Sequence, residues 1–253
     1  MSVRGGEAWA DVGERWGFDL EFVDECGASA RMPLQQCWGR RFEDALPVRS
    51  FPSFKGQKNF TGLWWSATTS RHVGFESWVE RDQAMLLDFD SNVVGFSSQP
   101  FRIWWQGESN IHRHVPDYFA RMADGGGLVV DVRPDNRIEP EDAEAFAATS
   151  RLCERVGWAF RRVGELDPVL RANVDWLAGY RHPRCLRPEV AERVLKVFSE
   201  PTALGEGVRA AGPRLAVLPT LFHLMWSRRI VTDLHTRLLS SSSPLSVAGG
   251  SSR

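Results

Sequence analysis

Two short stretches carry the residues best suited to chemistry. Pro116-Asp117-Tyr118-Phe119 is followed by a turn and then by Leu128-Val129-Val130-Asp131-Val132-Arg133. The pattern predicts the two strands of one hairpin. Side chains alternate along a strand, so Asp131 and Arg133 are expected on one face, with Val130 and Val132 in a core. A carboxylate and a cation on an apolar strand are expensive unless something uses them. Carboxylates holding a divalent metal beside a fixed positive charge suit phosphodiester hydrolysis. Spacing alone leaves two plainer roles open: Asp117 as a turn cap, and Asp131 with Arg133 as an internal ion pair.

The elements that must position these groups can be read outward from the hairpin. Residues 118–122 and 128–133 are its strands, joined by Ala123-Asp124-Gly125-Gly126-Gly127, where glycine supplies positive φ. No phosphate-cradling spacing follows that glycine run, so it reads as a plain hairpin loop. Upstream, residues 74–89 follow a helical period, with Phe75, Trp78, Val79, Met85, Leu86 and Phe89 as the apolar stripe. Glu76 and Glu80 lie on a neighbouring stripe. Residues 93–97 and 101–105 read as strands separated by Gln99-Pro100. Pro140 with Glu141-Asp142 opens a helix to about residue 156, a strand follows at 158–163, and Asp167-Pro168 starts another helix. A helix, a run of strands, a helix and a further strand make an α/β core with a mixed sheet. A carboxylate at the start of one strand and another on its neighbour can share a cation. With Glu80, Asp117, Asp131, the backbone carbonyl of Val132 and waters, such a set suits magnesium or manganese. Arg133 would face the charge that develops on the phosphate.

The rest of the chain divides around this core. Residues 1–60 read as an N-terminal arm with limited regular structure, anchored by Trp9, Trp16 and Trp38. Residues 61–182 form the catalytic domain, and 183–253 a small C-terminal module. In that module, helices are expected at 188–198, 204–211 and 215–226, with a late strand at 244–247 and a Ser-rich end. Three short helices with a hairpin suggest a winged-helix module, and a plain helical appendage fits almost as well.

Composition sets the outer bounds. The chain has 253 residues, 43% hydrophobic and 25% charged, the balance of an ordinary globular protein. No apolar run is long enough to span a bilayer, and residues 1–14 lack a signal core. The four cysteines are scattered without a CxxC pair, so a reducing, cytoplasmic setting is expected. Formal net charge is -1, so any nucleic-acid contact must come from local patches or a partner. Candidate patches are Arg151, Arg155, Arg161 and Arg162, and the run Arg181-His182-Pro183-Arg184-Cys185-Leu186-Arg187, each more simply read as solvated surface. The eleven tryptophans read mainly as core or contact residues. His112-Arg113-His114 lacks a third soft ligand and reads as surface, with His114 close enough to Asp117 for a supporting role. Gln99 before Pro100 could cap the turn or sit near the active site, the turn role being the simpler, and Cys153 reads as core rather than as a nucleophile. No GxSxG elbow supports acyl transfer.

One resemblance joins these pieces. Glu76-Ser77-Trp78-Val79-Glu80-Arg81-Asp82, Leu86-Leu87-Asp88-Phe89-Asp90, Val93-Val94, Ser98-Gln99-Pro100-Phe101, Pro116-Asp117-Tyr118-Phe119 and Asp131-Val132-Arg133-Pro134, in that order, resemble the TnsA family. The likeness covers about residues 60–180. It implies a restriction-endonuclease-like fold and the endonuclease subunit of a heteromeric transposase. The helix glutamate of the family falls on Glu80, with Glu76 as the alternative one turn earlier. The aspartate after proline falls on Asp117, and the last motif on Asp131 and Arg133. By this resemblance the protein is a Mg2+- or Mn2+-dependent hydrolase in DNA transposition. It would cleave the 5′ ends of a transposable element, leaving a 5′-phosphate and a 3′-hydroxyl. It would act with a TnsB-like DDE transposase and a TnsC-like AAA+ ATPase that contacts the C-terminal part. The chain departs from the family at Arg133, where lysine is usual. Arginine stays charged and cannot help to activate water. Asp131 also has a shorter reach than the family's Glu or Gln. Two alternatives therefore remain: a stand-alone restriction or repair nuclease, and an inactive nuclease-fold scaffold.

Overall fold

The computed structural model describes residues 17–50, 60–107 and 110–249. Trp9, Trp16, Pro52, Gly56 and the last four residues lie outside the described residues. In chain order the elements are β1 (Phe18–Val23), β2 (Ser29–Pro33), α1 (Leu34–Cys37), β3 (Gly62–Trp65), β4 (His72–Phe75), α2 (Trp78–Phe89), β5 (Val93–Ser98), β6 (Arg102–Gln106), β7 (Ile111–His114), β8 (Tyr118–Met122) and β9 (Gly127–Val132). Then come α3 (Pro140–Val156), β10 (Ala159–Val163), α4 (Pro168–Ala178), α5 (Pro188–Val197), β11 (Thr202–Ala203), α6 (Leu204–Ala211), α7 (Arg214–Trp226), β12 (Ile230–Val231) and β13 (Pro244–Val247). The protein is mixed α/β. It divides into two compact units, Met1–Gln57 with Val94–Gly164 and Lys58–Val93 with Glu165–Arg253.

The first unit holds two four-stranded sheets, ordered β2-β1-β6-β7 and β10-β9-β8-β5. Residues 18–33, expected within an arm of limited structure, instead form two strands of the first sheet. β1 pairs antiparallel with β2 and, from a distant part of the chain, with β6. Such non-local pairing leaves no local signal beyond alternation. In the second sheet β8 and β9 are antiparallel, and β9 and β10 are parallel with α3 as the crossover. The hairpin turn sets Gly125 at φ +88. At Gly127 a Cβ would lie 2.6 Å from the Trp158 ring, so only glycine fits beside that indole. Phe42 anchors the core, meeting Phe22, Phe101, Phe119 and Trp158 edge-on. α3 begins on Pro140 with a Glu139–Asp142 capping box and ends on Gly157 in the left-handed region.

The second unit is mainly helical. β3 and β4 form a hairpin, and β4 takes residues that the sequence assigned to the start of α2. α2 begins after Ser77, whose hydroxyl accepts from the Glu80 N–H at 3.2 Å. The buried face of α2 carries Ala84, Met85, Leu87 and Asp88, while Trp78 is 53% exposed, so the apolar stripe lies differently from the one expected. α2 and α4 are tied by Arg81–Asp175 and by Arg171–Asp82 at 2.7 Å. α5, α6 and α7 surround Val194, Phe198, Val208 and Leu221, with a small sheet ordered β11-β13-β12. Among the described residues no helix is long and apolar enough to cross a membrane.

Candidate active site

The site forms where the chain passes between the two sheets of the first unit. It leaves the second sheet after β5, through Gln99 and Pro100, to enter β6. It returns after β7, through Pro116 and Asp117, to enter β8. The two crossings are joined, because the Gln99 N–H donates to the Asp117 carbonyl at 2.8 Å. The β8–β9 register pairs Tyr118 with Val130. Continued by one residue, it sets Asp117 opposite Asp131.

Each carboxylate has a definite partner. Asp117 Oδ2 accepts the Val132 N–H at 2.6 Å. Asp131 is 2% exposed, and both its oxygens face His114 Nε2, at 2.9 and 3.0 Å. A carboxylate can only accept here, so the imidazole donates from Nε2. The His114 ring is held edge-on against Phe146 of α3. His112, which shares the His114 face of β7, stacks on Trp105 and lies 3.4 Å from Glu144.

Arg133 does not form the internal ion pair with Asp131 that spacing left open. It lies just beyond β9 and donates to Asp142 Oδ1 at 2.7 Å, with its side chain 45% exposed. Burial raises the Asp142 pKa, but the Glu139 N–H and the Arg133 guanidinium outweigh it and hold the carboxyl below its ordinary value. Val132 is engaged through its N–H; its carbonyl was the atom expected at a metal. Val132 is also half-buried while Asp131 is buried, the reverse of the expected core face. The reason is that β9 is covered on both sides, as a central strand is.

Glu80 belongs to the second unit. Its Oε2 accepts the Glu76 N–H at 2.7 Å and its Oε1 the Ser77 hydroxyl at 2.9 Å, so it helps to cap α2. Glu76 lies just before that cap. Among the described residues no group of three His, Cys, Asp or Glu side chains is placed to hold a metal ion. Asp117, Asp131 and His114 are the chemical groups brought together. Magnesium asks for less than a full protein cage, since it commonly takes one or two carboxylates and keeps waters and substrate oxygens. Two facing aspartates fit that demand. Asp131 fits it best, because among the described residues one N–H is shared between its two oxygens, which leaves most of its acceptor capacity unused.

Sequence reasoning read His114 as surface. Its signal was the spacing: an imidazole three residues ahead of Asp117, at the end of a strand. Cys153 is core as expected, 1% exposed, its thiol pushed up to about 12 by burial and by Asp131 and Glu154. No protein-family model matches the chain, and no curated protein matches it significantly.

Proposed function

We propose that the protein is a metal-dependent DNA endonuclease of the TnsA type, acting at transposon 5′ ends with a DDE transposase and an AAA+ regulator. The observation that carries this reading is Asp117 facing Asp131 across the β8–β9 hairpin. The second sheet of the first unit, β10-β9-β8-β5 with β8 and β9 antiparallel, β9 and β10 parallel and α3 as the crossover, supports a restriction-endonuclease-like core.

Asp117 and Asp131 would hold the divalent cation, which supplies charge neutralisation at the phosphate and a more acidic water. The protein does the rest. The Val132 N–H fixes the Asp117 carboxylate, and the His114 imidazole fixes that of Asp131. Arg133 is a permanent cation whose partly exposed link to Asp142 is worth only about 0–1 kcal/mol, so a phosphate can compete for it. That same link favours the scaffold alternative, in which Arg133 serves only to hold the start of α3.

The C-terminal part supports a protein contact. The order α5, β11, α6, α7, β12, β13 with sheet order β11-β13-β12 supports the reading of a winged-helix module. Its third helix, α7, is almost wholly apolar (RLAVLPTLFHLMW), and so offers few groups for reading base edges. Beside it lies a groove of about 720 Å³ lined by Trp176, Leu215, Phe222 and Leu238. Leu215 is 90% exposed there.

The test is cleavage of transposon ends by the assembled complex with Mg2+. Asp117→Ala should bring 5′-end cutting to background while DNA binding persists; undiminished cutting would overturn the site. Cutting by the isolated wild-type protein would favour a stand-alone nuclease.

A further inference from the structure

Arg162 reads as solvated surface in the sequence, but the fold places it beside the acids of the candidate site. β9 and β10 run parallel, and their register pairs Arg162 with Asp131. Neighbouring strands lie about 4.8 Å apart, and paired residues share a face. Arg162 therefore stands on the face of Asp131, on the edge strand of its sheet. The Arg133 N–H continues the ladder, donating to the Val163 carbonyl at 2.8 Å. Arg133, two residues beyond Asp131, thus belongs to the same face. Two guanidinium groups flank one buried carboxylate.

The partners of Arg162 differ in kind. Its Nη1 donates to the Arg133 carbonyl at 2.9 Å, which fixes the direction of the group. Its Nη2 meets Asp135 Oδ1 at 2.6 Å, but the Asp135 side chain is 85% exposed, so that pair gains little by staying closed. The remaining N–H groups of the guanidinium have no hydrogen-bond partner among the described residues. A guanidinium held on one side and lightly paired on the other offers a fork to a phosphate. With a formal net charge of -1, affinity for nucleic acid must come from such local cations.

We propose that Arg162 is a DNA-contacting residue of this centre, binding a backbone phosphate next to the one cleaved, with Asp135 holding the guanidinium until DNA displaces it. The inference rests on the nuclease reading of the site. Phosphates follow one another along a strand at about 3.4 Å of helix rise, so a cation one strand over from Asp131 meets the neighbour of the phosphate at the centre. Such a contact sets the position of the duplex without reading its sequence.

The experiment is binding of a fluorescein-labelled DNA duplex by the full-length protein over a range of KCl concentrations, without divalent cation so that no strand is cut. Mn2+ binding is followed separately by electron paramagnetic resonance. Each phosphate contact adds about 0.9 to the slope of log K against log salt. Arg162→Gln should flatten the slope by about that amount, and Arg162→Lys, which keeps the charge, should restore it. Asp135→Asn should tighten binding about 2- to 5-fold at low salt, and the gain should vanish in the Arg162→Gln background. A role confined to the turn at 135–137 would not move the slope. An unchanged slope in Arg162→Gln, or no DNA binding by the wild-type protein, would overturn the proposal. The two levels separate through Mn2+. Bound Mn2+ with an unchanged slope would remove only the role of Arg162. A flattened slope in Arg162→Gln with no Mn2+ bound by the wild type would keep the phosphate contact and overturn the metal-dependent reading.

Discussion

Asp88 in the second unit and Asp131 in the first are both buried, at 5% and 2% exposure. Asp88 is fully used. Its two oxygens accept from Trp64 Nε1 at 3.0 Å, the Ser66 hydroxyl at 2.8 Å, and the Ala67 and Thr68 N–H groups at 3.0 and 2.9 Å. Four donors on one carboxylate clamp the β3–β4 loop to the end of α2. Among the described residues, Asp131 has one imidazole for both oxygens. A buried carboxylate saturated by the protein is structural, whereas one left with spare acceptor capacity is available to a ligand. The contrast teaches that burial alone does not mark a functional acid; the donors around it do.

The sharpest way to break this comparison is to change both acids and measure stability and metal binding side by side. Asp88→Ala leaves four donors without a partner and should cost about 3–5 kcal/mol in urea unfolding, with Mn2+ affinity kept in the folded protein. Asp131→Asn keeps the shape and removes the charge. It should change stability by no more than about 1 kcal/mol while abolishing Mn2+ binding and 5′-end cleavage. A large loss of stability in Asp131→Asn, with metal binding intact, would make the two acids alike.

A smaller effect is expected at the Arg133–Asp142 contact. The Asp142 pKa lies below the ordinary 3.8 in the folded protein. Its contribution is therefore fully present above that value and is lost as pH falls through the folded pKa. Asp142→Asn should cost about 0.5–1 kcal/mol at pH 7, given the exposure of Arg133, and the gap from wild type should close in acid. The same variant frees Arg133. Higher cleavage by Asp142→Asn would favour Arg133 as a phosphate cation, unaltered cleavage would leave Arg133 only holding the start of α3, and cleavage by neither protein in the assembled complex would favour the inactive scaffold.

Much of the frame could be read from local signals. The bounds of α3 follow from Pro140, its acidic first turn and Gly157. The hairpin follows from two apolar runs around three glycines, and α6 and β13 lie where periodicity and alternation put them. The strands of the first sheet were harder. β1 depends on β6, more than eighty residues further on by the Phe18–Trp105 pairing, and β7 reads as polar surface because its own sequence, after Ile111, is His112-Arg113-His114. The start of α2 was misjudged because Phe75 continues its apolar period while pairing with Gly62 in β4. The Asp131 partner was missed because alternation along β9 pointed to Arg133, two residues away.

The sequence by itself determined which groups are available. Pro116-Asp117 and Asp131 stand on neighbouring strands because the hairpin register is set by a short turn and an apolar pattern, both local. Tertiary structure decided what those groups do. Only the return of the chain from β7 to β8 brings His114 onto Asp131. Only the packing of α3 draws Arg133 to Asp142, and only the joining of two inter-sheet crossings brings the Gln99 backbone N–H onto the Asp117 carbonyl. The physical reason is that a side chain's chemistry depends on the donors, charges and solvent around it, and in a mixed sheet those neighbours come from strands far apart in the chain.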